Sequence, residues 1–225
     1  MDKGKLIVIE GSDGSGKATQ SELLYKRLLN EGKDVRLVSF PNYNSESSAL
    51  VKMYLEGEFG ETPEDINIYA ASAFYSVDRF ASYEREWKKF YEGGGIVIAD
   101  RYTTSNMVHQ AAKINNRQEK DKYLSWLWDL EFELFKLPIP DVVFFLDVMP
   151  EISERLMRKR LNKITMEEEK DIHEKNNGFL VKSYKNALYV AEKYNWVKID
   201  CNNGNNVRDI EEISDDIYSV LMNFI

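Results

Sequence analysis

Between a short apolar run, Leu6-Ile7-Val8-Ile9, and an amphipathic segment, Gln20-Ser21-Glu22-Leu23-Leu24-Tyr25-Lys26-Arg27-Leu28-Leu29, the chain places Gly11-Ser12-Asp13-Gly14-Ser15-Gly16-Lys17-Ala18. A buried strand that turns into a helix through a glycine loop of this spacing leaves few folds open. The glycines let successive backbone N–H groups turn inward around one anion, and the helix N-terminus adds partial positive charge at the same point. Lys17 is then spaced to reach the outer phosphates of a nucleoside triphosphate. A plain glycine turn between strand and helix is the alternative, and it requires neither the full spacing nor the lysine. The pattern asks for Ser or Thr after the lysine, as a Mg2+ ligand. Here that residue is Ala18.

Further apolar runs recur at Val35–Ser39, Ile96–Asp100, Val142–Asp147 and Trp196–Asp200, with helix-like stretches rich in Glu, Lys, Leu and Ala between them. Near-continuous Val/Ile/Leu/Phe strands alternating with helices predict an α/β fold, a three-layer sandwich with a five-stranded parallel sheet covered on both faces. Such sheets bind ligands beyond the carboxyl ends of their strands. Polar residues gather at those ends: Glu10 before the glycine loop, Phe40-Pro41-Asn42-Tyr43, Asp100-Arg101-Tyr102, and Asp147. No repeat, linker or low-complexity segment divides residues 1–225, which reads as a single domain.

Charge and residue usage exclude several function classes. A formal net charge of −8 argues against coating nucleic acid, which needs net positive surface. The one cysteine, Cys201, cannot form an intramolecular disulfide, and the two histidines, His109 and His173, lie too far apart in sequence to suggest a metal cluster. Without a signal-like start or an apolar run of membrane-spanning length, the cytoplasm is the expected compartment. His109 and Cys201 read as structural. The basic run Arg155-Leu156-Met157-Arg158-Lys159-Arg160, followed by a polar stretch, fits a solvated helix end, or a lid at about 155–175 that closes over phosphates.

Taken together, the glycine loop, Asp100-Arg101-Tyr102 and the late basic lid resemble the nucleoside monophosphate kinases of the P-loop NTPase superfamily, and in detail the thymidylate kinases. The resemblance spans the chain, with the acceptor-nucleotide region at about 40–110. It implies that Asp13 faces the acceptor sugar, and that Phe40-Pro41 follows the second strand at the acceptor site. The arginine that the family commonly carries just beyond is absent from Asn42-Tyr43. Tyr75 and Arg79, four apart on one helical face, would stack on the base and grip the acceptor phosphate. For these two the bland alternatives are a core aromatic and a surface ion pair with Asp78. Asp100-Arg101-Tyr102-Thr103-Thr104-Ser105 matches the family's strand-end motif, and Gln110 follows at a position that can face the base.

The implied reaction transfers the γ-phosphoryl of ATP to dTMP. Gly11 to Thr19, with the Lys17 ammonium, would hold the donor phosphates. Arg101 and Arg79 would hold the acceptor phosphate, and Asp100 would organise Mg2+ through water. Gly14 stands where one branch of the family has an arginine in the loop, so a lid arginine is expected to neutralise the transferring group: Arg160 first, with Arg158 and Arg155 behind it. For Ala18 three readings stay open: Thr19 substitutes as ligand, water does, or catalysis has been lost. Rival functions are a kinase for another nucleoside monophosphate or a deoxynucleoside, and a non-catalytic nucleotide sensor. The resemblance also implies a homodimer packed through helices such as Ala70–Phe80 and Tyr123–Phe135.

Overall fold

A five-stranded parallel sheet forms the centre of the fold, in the order β2-β3-β1-β4-β5: β1 (Lys5–Gly11), β2 (Val35–Ser39), β3 (Ile96–Asp100), β4 (Val142–Asp147) and β5 (Val197–Asp200). The computed structural model describes residues 3–60, 62, 65–157 and 177–225. Strand limits fall within one residue of the apolar runs in the sequence. The reason is burial: β1 from Leu6 onward and all of β4 are buried, so both faces of these strands had to be apolar.

Alternate side chains of β1 enter different cores. Leu6 and Val8 join Val97, Ala99, Tyr102, Tyr123 and Leu127 on one side. Ile7 and Ile9 join Leu24, Leu28, Phe144, Ile213 and Ile217 on the other. The helices of the second side are α1 (Lys17–Asn30) and, late in the chain, α9 (Ile210–Leu221). The intervening helices among the described residues are α2 (Ala49–Leu55), α3 (Ile68–Ser82), α4 (Lys88–Glu92), α5 (Thr103–His109), α6 (Arg117–Trp128), α7 (Pro150–Met157) and α8 (Asn177–Lys193). Side-chain caps set several starts: Asn67 accepts from the Tyr69 N–H, Asn116 from the Glu119 N–H and Asp209 from the Glu211 N–H. The helical segment after Trp128 does not continue as α-helix; it widens into π-helical turns over Asp129–Leu134.

Register decides what the sheet presents. Ile9 lies opposite Asp100 on β3, and Asp100 opposite Ser39 on β2. Arg101 and Phe40 therefore leave the sheet beside Glu10-Gly11, the last residues of β1, at its carboxyl edge. Cys201, just past β5, is buried with its Sγ donating to the Ile199 carbonyl, and burial pushes its thiol up to about 12.

Candidate active site

Glycine chemistry shapes the loop between β1 and α1. Gly14 and Gly16 have φ of +77° and +86°, conformations costly for side-chain-bearing residues. At Gly14 space forbids a side chain as well: a Cβ there would lie 2.5 Å from the Ser153 carbonyl oxygen and 2.7 Å from Met157 Cγ, both on α7. Lys17 is buried, and its ammonium donates to the Gly11 and Ser12 carbonyls at 2.9 and 2.7 Å. Burial, followed by the nearby Arg101 cation, lowers its pKa to about 7, with Asp13, Glu10 and Asp100 opposing. The Ser12 and Ser15 hydroxyls are buried without a hydrogen-bond partner among the described residues.

Two pockets open at this edge of the sheet. One is lined by Gly14 to Gln20, Asp100 and Arg101, and continues into an apolar lobe of Leu156, Met157, Val207, Ile210 and Ile213. Ala18 and Thr19 are both on its wall. The other gathers Asp13, Phe40, Pro41, Tyr75, Arg79, Arg101, Ser105 and Gln110, along with Tyr43, Tyr102, Asn106 and His109. Candidates spread over nearly a hundred positions of sequence thus share one cavity. Arg101 lines both pockets.

Arg101 is held from several directions. Its backbone has φ +69°, a left-handed conformation in a residue with a side chain, and its N–H donates to the Ile9 carbonyl. The guanidinium forms an ion pair with Asp13, donates to Ser105 Oγ at 3.3 Å and lies 3.3 Å from His109 Nε2. Burial alone would raise the pKa of Asp13, but Arg101, His109 and Lys17 outweigh it and hold this carboxyl well below the usual carboxylate range. His109 is pushed down to about 4 by burial first, so its ring is neutral near pH 7. Sequence reasoning set His109 aside as structural; the structure places it in the pocket wall beside Arg101.

Arg79 is 1% exposed, and its partner is not Asp78. Its Nε and Nη2 meet Glu131 Oε2 and Oε1 at 2.8 and 2.5 Å, and Nη2 also reaches Asn106 Oδ1 at 3.2 Å. This is the fork-to-fork geometry that suits an arginine–carboxylate pair. Asp78 instead accepts from the Asn42 N–H and from Ser47 Oγ. The Asn42 side chain turns to Glu86 at 2.9 Å, so it does not occupy the place of the missing arginine. Tyr75 stands edge-on to Tyr54, ring centroids 6.2 Å apart. Gln110 is buried, its Oε1 without a hydrogen-bond partner among the described residues.

Sequence reasoning missed Glu131, although it lies on the apolar face of Leu124 and Leu127 at helical spacing, a position where a charge signals a buried partner. At the loop's outer side, Asp100 is buried with Oδ1 unpartnered among the described residues, while its Oδ2 accepts from Ser39 Oγ at 3.4 Å. Arg155 is exposed on α7 and pairs with the Asn205 carbonyl, between the short strands Asn202–Asn203 and Asn206–Val207. Arg158 and Arg160 lie outside the described residues, as does most of the expected lid.

The family profile described as thymidylate kinase matches residues 9–214. The thymidylate kinase of Plasmodium falciparum is 31% identical over 215 residues, spanning 96% of this chain and 88% of that one. A probable thymidylate kinase of Thermococcus kodakarensis is 30% identical over 217 residues, 96% of each chain. The solved structure of thymidylate kinase from Candida albicans shares the fold, with a TM-score of 0.71 at 22% identity, covering 98% of this chain and 92% of that one. The chain belongs to the thymidylate kinase family.

Proposed function

We propose that this protein transfers the γ-phosphoryl group of ATP to dTMP, forming dTDP and ADP. The observation that carries the proposal is the position of Arg101 on the shared wall of two pockets, one built on the glycine loop and one lined by Asp13, Tyr75 and Gln110. A group passing between two bound nucleotides must pass this guanidinium.

Phosphoryl transfer asks a protein chiefly for positioning and charge neutralisation. Backbone N–H groups from Ser12 to Ala18 and the Lys17 ammonium hold the donor phosphates, with Gly11 and Thr19 completing the cradle. The apolar lobe beside Ile210 receives the donor base. In the second pocket Asp13 meets the acceptor sugar, Phe40, Pro41 and Tyr75 bound the base, and Gln110 offers it an unpaired carbonyl. Arg101, held by Ser105, secures the acceptor phosphate, and Arg79, anchored by Glu131, lines the same pocket. That phosphate is the nucleophile and is largely ionised at neutral pH, its second pKa being about 6, so no strong general base is required.

The oxygen donors at the loop fit a divalent cation. Asp100 Oδ1 and the Ser12 and Ser15 hydroxyls are buried without partners, and Mg2+ favours oxygen ligands while keeping several waters. Asp100 would help to hold the ion, which would neutralise charge on the donor phosphates. On this reading Ala18→Ser leaves the Mg2+ concentration for half-maximal activity unchanged, and a severalfold lower requirement would show that water does not fill the place of a serine ligand.

The lowered pKa of Lys17 gives a pH prediction. Near pH 8 Lys17 is mostly neutral before nucleotide binds, since its pKa is about 7. Phosphate oxygens favour its charged form, so ATP binding at pH 8 takes up a proton and weakens as pH rises above 7. Calorimetric titration in two buffers of different ionisation enthalpy measures that uptake; identical heats would show that Lys17 is already charged.

An ADP-release assay across dTMP, dUMP, purine monophosphates and thymidine, with ATP and Mg2+, tests the whole reading. Turnover is expected with dTMP. Turnover with thymidine alone would indicate a deoxynucleoside kinase, and silence despite ATP binding a sensor. The expected assembly is a homodimer formed through the exposed Val77 and Phe80 of α3 and the neighbouring Leu134. No helix among the described residues is long and apolar enough to cross a membrane, and the proposed setting is the cytoplasm.

A further inference from the structure

The residue before the glycine loop, Glu10, is a carboxylate with no solvent exposure. A charge is expensive to bury unless it is fully hydrogen-bonded, so its partners identify its purpose. Oε1 accepts from the Gly11 N–H at 2.9 Å; Oε2 accepts from Thr104 Oγ1 at 2.6 Å and from Ser105 Oγ at 2.8 Å. These donors belong to two different segments: the loop that leaves β1 and the first turn of α5.

We propose that Glu10 is a positioning residue that sets the orientation of Arg101 through Ser105. The inference rests on the phosphoryl-transfer reading above. A serine hydroxyl has one proton. Because an ionised carboxylate can only accept, that proton is committed to Glu10, and the lone pairs of Ser105 Oγ are left facing Arg101 Nη1. Asp13 takes the other terminal nitrogen of the same guanidinium. The cation is thereby fixed between one partner on the glycine loop and one on α5, and Glu10 ties those two segments together. The strained backbone of Arg101 makes such anchoring necessary, since a left-handed residue relaxes when its surroundings let it.

An amide cannot replace this carboxylate. If Gln at position 10 turned its NH2 toward Gly11, two donors would face each other. If it turned the NH2 toward α5, the Ser105 proton would be released toward the guanidinium. Glu10→Gln is therefore expected to lower kcat/KM for dTMP, at saturating ATP, by about 10- to 100-fold, the range for losing a hydrogen bond to a charged group. Thr104→Val, which removes a partner of Glu10 that does not touch Arg101, should change it by less than about threefold.

The decisive measurement is the double-mutant cycle of Glu10→Gln with Ser105→Ala. If Glu10 acts through Ser105, its replacement in the Ser105→Ala background costs less than about threefold more. Additive losses, or a Glu10→Gln enzyme with near-normal kcat/KM, would overturn the proposal. Should Glu10→Gln fail to fold by circular dichroism, Ser105→Ala and Thr104→Val still decide: a large loss in the first and a small one in the second is required, and equal losses refute it. Wild-type turnover of dTMP tests the function itself, whereas the cycle is read only from ratios among active variants.

Discussion

Arg160→Ala is expected to lower kcat by about 10³-fold or more, the range for losing an arginine that stabilises a transferring phosphoryl group, while ATP affinity falls by less than about threefold. The transferring group needs a cation beyond Lys17 and Arg101, and the glycine loop cannot supply it at position 14. There, φ is +77° and a Cβ would collide with the Ser153 carbonyl and with Met157. An arginine at that position would have to displace α7. The basic run that begins in the last turn of α7 is the remaining source, and Arg155 within it is already bound to the Asn205 carbonyl. Single-turnover kinetics with saturating dTMP and ATP is the measurement, and an Arg160→Ala enzyme within tenfold of wild type would remove the lid arginine from the mechanism.

Glu131→Ala should be the most destabilising single change at the site. Glu131 is fully buried and accepts from Arg79 through two nitrogens, from Ser76 Oγ at 2.7 Å and from Thr103 Oγ1 at 2.5 Å. Removing it leaves a buried cation unpaired, a loss of about 3–5 kcal/mol. For a chain of this size that corresponds to roughly 6–20 °C in Tm. Glu131→Gln, which keeps the shape and some of the hydrogen bonds, should cost less. A Tm within about 2 °C of wild type for Glu131→Ala, read by calorimetry, would mean that water or a shifted side chain takes over the pairing.

Much of the fold was legible because burial on both faces leaves a strand few choices of residue. The five apolar runs gave the five strands, and the four-residue spacing of Tyr75 and Arg79 placed both in one pocket wall. Pairings between distant segments were not legible. Arg79 lies next in sequence to Asp78, the obvious partner, yet it meets Glu131, 52 residues away, because the helix carries it inward while Asp78 faces the Phe40-Pro41 loop. The absence of an arginine near Asn42 was visible; that Asn42 turns outward to Glu86 was not. His109 read as structural because a single histidine carries no spacing signal, and α5 is what brings it alongside Arg101. Glu10 was visible at the end of an apolar strand, but its partners on α5 depend on the parallel register of β1 with β3.

The single native thiol has a practical consequence. Cys201 is sealed behind β5 and stays protonated far above neutral pH, so thiol-reactive dyes will pass it by in the folded protein. A cysteine introduced at the exposed Leu156, in the last turn of α7, would then be the one labelled position, with no native residue to remove first. Fluorescence from that position, recorded as nucleotides are added in either order, would report which substrate the basic segment responds to.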